Sequence, residues 1–186
     1  GDGNDVVEGQ AGVDTLRFNA SNDAEIISVT AGAGGRISLT RDIDAVTMDI
    51  NDVERLEVRV AGGGDLLFVN DLTGTDAKLV VVDLAGVPGG ATGDGISDTV
   101  FVAGSGGNNS INIGLAGKSV SVTGLPAQVL LTRAEAADFL AVTGEDGDDK
   151  INSSKLAAGV GQLFAFAGNG NDTVTGGLSA ENFSGD

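Results

Sequence analysis

Glycine and aspartate recur at a fixed spacing at the start of this 186-residue chain, and that spacing constrains the fold more than any other feature. Residues 9–17 match a nine-residue pattern in which glycines precede an aspartate and an apolar residue follows two positions later. Residues 1–8 fit the same frame without its leading glycine, so Asp5 and Asp14 hold equivalent positions in successive frames. Glycines permit tight turns, and the residues after each aspartate begin a short strand whose apolar residue points inward. The pattern therefore predicts short strands joined by stacked turns.

The aspartates of these turns are candidate metal ligands, because carboxylates and neighbouring backbone carbonyls are the hard oxygen ligands that calcium prefers. The frame recurs at 144–152, where three aspartates lie close together and would repel one another without a cation. It also appears at 104–111, where Asn109 replaces the aspartate and predicts a weaker site. Metal-free Asp/Gly turns and a solvated acidic loop remain the alternatives. The candidate ligand residues are Gly1, Gly3, Asp5, Gly12, Asp14, Asp94, Asp98, Asp146, Asp148, Asp149, Gly168, Gly170 and Asp172.

The composition limits the classes of partner that this chain is expected to bind. The chain has 10 Lys and Arg against 27 Asp and Glu, a net charge of −17, which favours cations and argues against nucleic acid and anionic membranes. Cysteine and histidine are absent, which excludes disulfides and the usual zinc sites, and no apolar run is long enough to span a membrane. Its 31 glycines and 41% hydrophobic residues argue against a disordered acidic tail. Residue 1 is glycine and no export signal is visible, so we expect a piece of a longer chain.

An internal repeat covers most of the chain. Asp14-Thr-Leu recurs as Asp98-Thr-Val, and Leu56 recurs as Leu140 at the same offset. We divide the chain into nonapeptide turns at 1–17, a first repeat at 14–97, a second at 98–171 with the internal nonapeptide 144–152, and further turns at 168–186 that open a third repeat. Residues 87–92 are rich in proline and glycine and should form a surface loop.

Short apolar runs with alternating polarity, bounded by Gly, Asn and Asp, predict an all-β fold. Repetition with glycine-rich corners favours a solenoid over a sandwich. Because a solenoid exposes strand edges or an apolar end wherever it stops, end-to-end self-association into filaments is also a possible behaviour.

The nonapeptide frames at residues 1–17, 144–152 and 168–172 resemble the calcium-binding repeats of RTX (repeats-in-toxin, hemolysin-type) proteins. This resemblance covers a minority of the chain. It implies a right-handed parallel β-helix or β-roll-like solenoid with calcium in its Gly/Asp-rich turns. It also implies that this chain belongs to a secreted or cell-surface protein of bacteria that is exported by type I secretion.

Three classes of function follow, and the leading one is a calcium-stabilised structural module. The second is an adhesin or glycan-binding module, although the chain has no Trp or Tyr, and its 7 phenylalanines, Phe18 and Phe101 among them, are interpreted as core residues. The third is a polysaccharide lyase or epimerase. Asp148 and Asp149 could act as a carboxylate pair, but histidine, the commonest general acid or base, is missing. We therefore expect calcium as the bound ion, polysaccharide as a possible partner, and no enzymatic activity.

Overall fold

The computed structural model describes residues 3–157 and 161–185, and in this part of the chain the fold is nearly all β. The all-β prediction is therefore confirmed. Besides two 3-10 helices, Ala33–Gly35 and Ile43–Ala45, the described residues form seventeen strands. The strands are β1 Asn4–Glu8, β2 Thr15–Asn19, β3 Ile26–Ala31, β4 Ile37–Arg41, β5 Val46–Asn51, β6 Arg55–Arg59, β7 Leu66–Val69, β8 Leu79–Asp83, β9 Thr99–Ala103, β10 Ser110–Ala116, β11 Ser119–Thr123, β12 Gln128–Thr132, β13 Phe139–Thr143, β14 Lys150–Lys155, β15 Gln162–Phe166, β16 Thr173–Thr175 and β17 Ala180–Ser184.

These strands belong to two sheets, and the chain crosses repeatedly from one to the other. The nine-stranded sheet has the order β1-β5-β4-β3-β7-β9-β13-β15-β17. The eight-stranded sheet has the order β16-β14-β10-β11-β12-β8-β6-β2. Apart from two excursions, β3-β4-β5 and β10-β11-β12, successive strands of the chain lie in alternate sheets.

Strand pairing is mixed rather than purely parallel. The two excursions are antiparallel meanders, which the sequence pattern did not predict. All other pairs are parallel. In four of them the paired residues are separated by the same long stretch of sequence, as between Ile26 and Leu66 and between Ser110 and Lys150. This separation is long because the chain forms a meander between the two paired strands or directly after the first of them. Strands β15 and β17 have no meander between them, so their paired residues, such as Gln162 and Ala180, are much closer in the sequence.

The core lies between the two sheets, because alternate residues of strands from both sheets join one cluster of buried apolar side chains. Valine, isoleucine and leucine supply most of it, as expected for stiff or bulky side chains on a pleated surface. Ile27, Val58 and Val142 are completely buried. The turns that join the strands are therefore stacked along the rims of the two sheets.

The strands of the two repeat copies correspond one to one. Strands β2–β8 match β9–β15, and Leu56 and Leu140 are both the buried second residue of their strands, β6 and β13. The copies exchange sheets, because β6 lies in the eight-stranded sheet and β13 in the nine-stranded sheet. The loop at 87–92 between the copies contains no strand and is mostly exposed.

The phenylalanines do not form the core, which corrects the interpretation from the sequence. Among the phenylalanines of the described residues, only Phe18 belongs to the buried cluster. Phe68 and Phe101 face outward on the nine-stranded sheet, where their rings stack with centroids 4.6 Å apart. Alternation along each strand puts Phe139, Phe164 and Phe166 on the same outer face. These five residues form the outer phenylalanine row, and three of them, Phe68, Phe101 and Phe166, line a groove of about 210 Å³ together with Ala141 and Glu145.

Within the described residues, no helix has the length and apolar character needed to cross a membrane.

Candidate functional site

Acidic or amide side chains stand one residue before several parallel strands, and most of them accept a hydrogen bond from the backbone of the equivalent residue on the neighbouring strand. We call Glu25, Asp65, Asp98 and Asp138 the first ladder, which borders the nine-stranded sheet. Asp65 Oδ1 accepts from Glu25 N at 2.8 Å, Asp98 Oδ1 from Asp65 N at 2.9 Å, and Asp138 Oδ1 from Asp98 N at 3.1 Å. These carboxylates satisfy backbone donors that would otherwise be unpaired at the rim.

The first ladder is buried, and burial raises the pKa of its three aspartates. All four residues are at most 3% exposed. Desolvation raises the pKa of Asp65 and of Asp98 to about 7, and the neighbouring carboxylates add to the shift. Desolvation also raises the pKa of Asp138. With such pKa values, Asp65 and Asp98 remain partly protonated near neutral pH.

The second ladder consists of Asn109, Asp149 and Asp172, on the rim of the eight-stranded sheet. Asp149 Oδ1 accepts from Asn109 N at 2.6 Å, and Asp172 Oδ1 accepts from Asp149 N at 2.8 Å. The three nonapeptide-like turns at 104–109, 144–149 and 168–172 are therefore stacked directly on one another. The sequence pattern identified all three turns.

A second row of contacts holds the stacked turns together on their exposed side. Asp148 Oδ1 accepts from Asn171 N at 3.0 Å and from Asn171 Nδ2 at 3.2 Å, and these bonds lower the pKa of Asp148. Asp146 Oδ1 accepts from Asn169 Nδ2 at 2.9 Å. Asparagine thus partners two of the three clustered aspartates, which reduces their mutual repulsion.

One carboxylate oxygen of Asp149 takes part in none of these contacts. The residue is 1% exposed, and its Oδ2 atom is buried without a hydrogen-bond partner. A Cβ atom at Gly144 would clash with both this oxygen and the carbonyl oxygen of Ala167, so the two oxygens lie beside the same glycine. A buried carboxylate oxygen without a partner costs free energy, and a cation bound beside both oxygens would offset that cost.

Glycine is required in the neighbouring turn for a similar reason. Gly168 and Gly170 have φ values of 92° and 147°, and a Cβ on either would clash with the backbone of the 144–149 turn. These two candidate residues therefore permit close stacking of the turns.

The candidate residues at the start of the chain are not brought together. Gly1 lies outside the described residues. Asp5 lies within β1, exposed and in register with Met48, so it is not at a turn. Gly3 has φ 128°, and Gly12 has φ 140°.

Asp14, by contrast, does stand at a turn, immediately before β2. Its backbone N donates to Glu54 Oε2 at 2.8 Å, and its own Oδ2 is buried without a partner. Asp14 therefore repeats the feature of Asp149 at the other end of the same sheet.

Asp94 closes the turn at 60–65 from the outside. Its Oδ2 accepts from Gly63 N at 3.0 Å, and its Oδ1 accepts from Ile96 N at 2.8 Å. Both oxygens are thus engaged with backbone donors.

The candidate ligands predicted from the sequence did not include Glu25, Asp65 or Asp138, and they omitted Gly144 although it opens the frame at 144–152. The signal was present, because the offset between the repeat copies carries Glu25 onto Asn109 and Asp65 onto Asp149. The pairs joined across the ladders are also repeatedly 40 residues apart, as in Glu25 with Asp65 and Asp98 with Asp138.

In residues 3–157 and 161–185, no three acidic side chains converge closely enough to hold a metal on their own. Any cation at the second ladder would therefore take backbone carbonyls and water beside one or two carboxylates, a mixture that calcium accepts. Comparison with family models, with curated proteins and with solved structures found no match to this chain.

Proposed function

We propose that this chain is a calcium-binding structural module, a β-roll-like solenoid of a secreted or cell-surface protein. Calcium stabilises its stacked Gly/Asp-rich turns, and the module carries out no catalysis. The observation that carries the proposal is Asp149 Oδ2, which is buried, unpartnered and next to the Ala167 carbonyl in the middle of three stacked turns.

Charge and topology support this proposal. At a net charge of −17, the folded chain repels itself, and a bound divalent cation reduces that repulsion. The alternation between two sheets, with parallel pairing across each, is the arrangement expected of a roll interrupted by two meanders. The proposed ligands are Asp149 and Asp172 with the Ala167 carbonyl, and Asp14 in its own turn.

Extracellular location, export by type I secretion and end-to-end assembly remain parts of the proposal that the RTX resemblance suggests. The outermost strands of the two sheets, β1 and β17 in one and β2 and β16 in the other, each pair on one side only within the described residues. Their free edges would supply the contacts for assembly.

Anomalous diffraction from crystals grown with calcium tests the metal sites. The proposal expects a calcium peak within about 2.6 Å of Asp149 Oδ2 and of the Ala167 oxygen. Crystals of Asp149→Ala grown in the same solution should lack that peak and keep any peak near Asp14. Absence of anomalous density near both aspartates in the wild-type protein would overturn the calcium assignment.

A second candidate function, glycan binding, is favoured by the outer phenylalanine row. Sugar rings pack against exposed aromatic faces, and the groove beside Phe101 and Phe166 also contains the polar groups of Asn70, Thr143 and Glu145. Calcium is not needed for this contact.

Titration calorimetry against alginate and neutral glucans tests this candidate. Phe101→Ala should weaken the affinity about fivefold or more. Leu130→Ala, which changes an outward residue of the eight-stranded sheet, is the matched control and should leave the affinity unchanged. Equal binding by the two variants, or no binding by the wild-type protein, would contradict a glycan site on this face.

A further inference from the structure

The side-chain amide of Asn109 is surrounded by more oxygens than it has protons. Its Nδ2 atom lies 3.0 Å from the carbonyl oxygens of Ser105 and Gly144, 2.5 Å from that of Gly107 and 3.1 Å from Asp149 Oδ1. An amide nitrogen carries two hydrogens, so four acceptors exceed its donors. Four oxygens around a single buried atom form the kind of shell that surrounds a cation.

The orientation of this amide is fixed by its other end. Asn109 Oδ1 accepts from Ser105 N at 3.2 Å and from Ser105 Oγ at 3.0 Å. Exchanging the oxygen and nitrogen would set the NH2 group against the Ser105 N–H donor and the oxygen among four other oxygens, so the nitrogen is the atom inside the oxygen shell.

The next turn of the stack has the same arrangement with an oxygen in place of this nitrogen. A Cβ at Gly104 would lie 2.6 Å from Gly144 O and 3.0 Å from Asn109 Nδ2. A Cβ at Gly144 would meet the corresponding atoms, Ala167 O and Asp149 Oδ2. The nitrogen of Asn109 and the unpartnered oxygen of Asp149 thus occupy equivalent positions one turn apart.

We propose that the Asn109 amide takes the place of a divalent cation, so that the 104–109 turn is held together without metal and an aspartate there would create a calcium site. This inference rests on the proposed calcium role of the stacked turns, because it takes the Asp149 turn as the metal-binding form. It makes Asn109 the residue that limits how many turns of the stack bind calcium.

The test is Asn109→Asp, with Asn108→Asp as its matched control. Asn108 is the adjacent exposed residue, and its Oδ1 accepts from Asp148 N at 3.0 Å, a bond that aspartate preserves. Both variants add one negative charge at neighbouring positions, but only Asn109→Asp puts a carboxylate oxygen among the carbonyls of the shell.

Thermal melting is measured for wild type and both variants in excess chelator and in millimolar calcium. We expect Asn109→Asp to melt about 5 °C or more below wild type in chelator, and calcium to restore most of that loss. Asn108→Asp should stay within about 2 °C of wild type in both buffers. If Asn109→Asp is unfolded in chelator, refolding it on addition of calcium is the equivalent supporting result.

Two outcomes would overturn the inference: Asn109→Asp melting with wild type in chelator, or a loss of stability that calcium does not reduce. Failure of the proposed function would be seen in a different measurement: the melting temperature of the wild-type protein would not respond to calcium. The comparison of Asn109→Asp with Asn108→Asp across the two buffers still decides the role of the amide in that case.

Discussion

The turns at 60–65 and 144–149 have the same backbone shape but different surroundings at one residue. They occupy equivalent positions in the two repeat copies. Their second residues have φ values of 64° and 72°, and their fourth residues have 112° and 126°. Each ends in an aspartate that is 1% exposed, accepts a backbone hydrogen bond on Oδ1 and has an unpartnered Oδ2.

The first residue of each turn distinguishes them. Val60 is completely buried and adds apolar volume to the turn that ends in Asp65, whose pKa desolvation raises to about 7. Gly144 leaves that volume free beside Asp149 Oδ2 and the Ala167 carbonyl. We interpret the first turn as one that stores a proton and the second as one that binds calcium. On the proposed function, an aspartate in this frame becomes a ligand only where the turn begins with glycine.

The largest effect is expected from Gly144→Val, which converts the second turn to the first. The new side chain clashes with Asp149 and with the Ala167 backbone, so we expect a loss of about 3 kcal/mol or more in the free energy of unfolding. The calcium response of this turn should disappear as well. Urea unfolding in excess calcium measures the loss. Gly106→Val is the control, because a Cβ at Gly106 has no heavy atom within 4 Å, and equal losses in the two variants would contradict this reason.

Asp149→Ala and Asp65→Ala should differ more in calcium than without it. A ligand at a hundredfold excess over its Kd contributes about 2.7 kcal/mol to the folded state, and only Asp149→Ala loses that contribution. Both variants also lose one backbone hydrogen bond, worth about 1 kcal/mol, and Asp149→Ala loses in addition the contact between Asn109 Nδ2 and Asp149 Oδ1. Urea unfolding in calcium and in chelator separates these contributions. A deficit of Asp149→Ala that is equal in both buffers would show that no cation is bound there.

The first ladder predicts a pH dependence in chelator. Asp65 and Asp98 have pKa values of about 7 in the folded state but about 4 in the unfolded chain. Between these values the folded state binds more protons, so its stability decreases as the pH rises and levels off above about pH 7. Each of the two carboxyl groups should account for a loss of about 2 to 3 kcal/mol between pH 5 and pH 8, measured from unfolding curves in chelator. Asp65→Asn should flatten this dependence, and an unchanged slope in that variant would contradict proton storage at Asp65.

The smallest effect is expected at Asp5. It matches the nonapeptide frame but lies exposed within β1, away from any stacked turn. Asp5→Asn should change stability by less than about 0.5 kcal/mol, with the same calcium response as wild type. Asp14→Asn, at a true turn, is the comparison variant and should reduce the response. A large effect at Asp5 would mean that the frame alone, rather than the environment of the carboxylate, determines binding.

The sequence predicted the periodic features of this fold and missed those that depend on contacts between distant strands. Alternating apolar residues and Asp/Gly turns were sufficient to locate the strands and the stacked turns at 104–109, 144–149 and 168–172. The meanders were not predicted, because antiparallel and parallel pairing leave the same alternation along a strand.

The candidate site was recovered only in part. Asp149 and Asp172 follow from the nonapeptide frame, whereas Glu25, Asp65 and Asp138 of the first ladder lie outside the frame and are related to it only through the offset between distant strands. The outward position of Phe68 and Phe101 also depends on which face of the sheet is covered, and period-two alternation does not distinguish the two faces.

Thermal melting of the wild-type protein in excess calcium, in magnesium and in chelator at pH 7.5 tests the central claim most directly. Calcium binding to the folded state should raise the melting temperature by about 5 to 10 °C, because about 2.7 kcal/mol corresponds to that shift in a domain of this size. Magnesium should have a smaller effect, because it demands stricter octahedral geometry. Melting curves that coincide in calcium and in chelator would contradict the claim that calcium stabilises these turns.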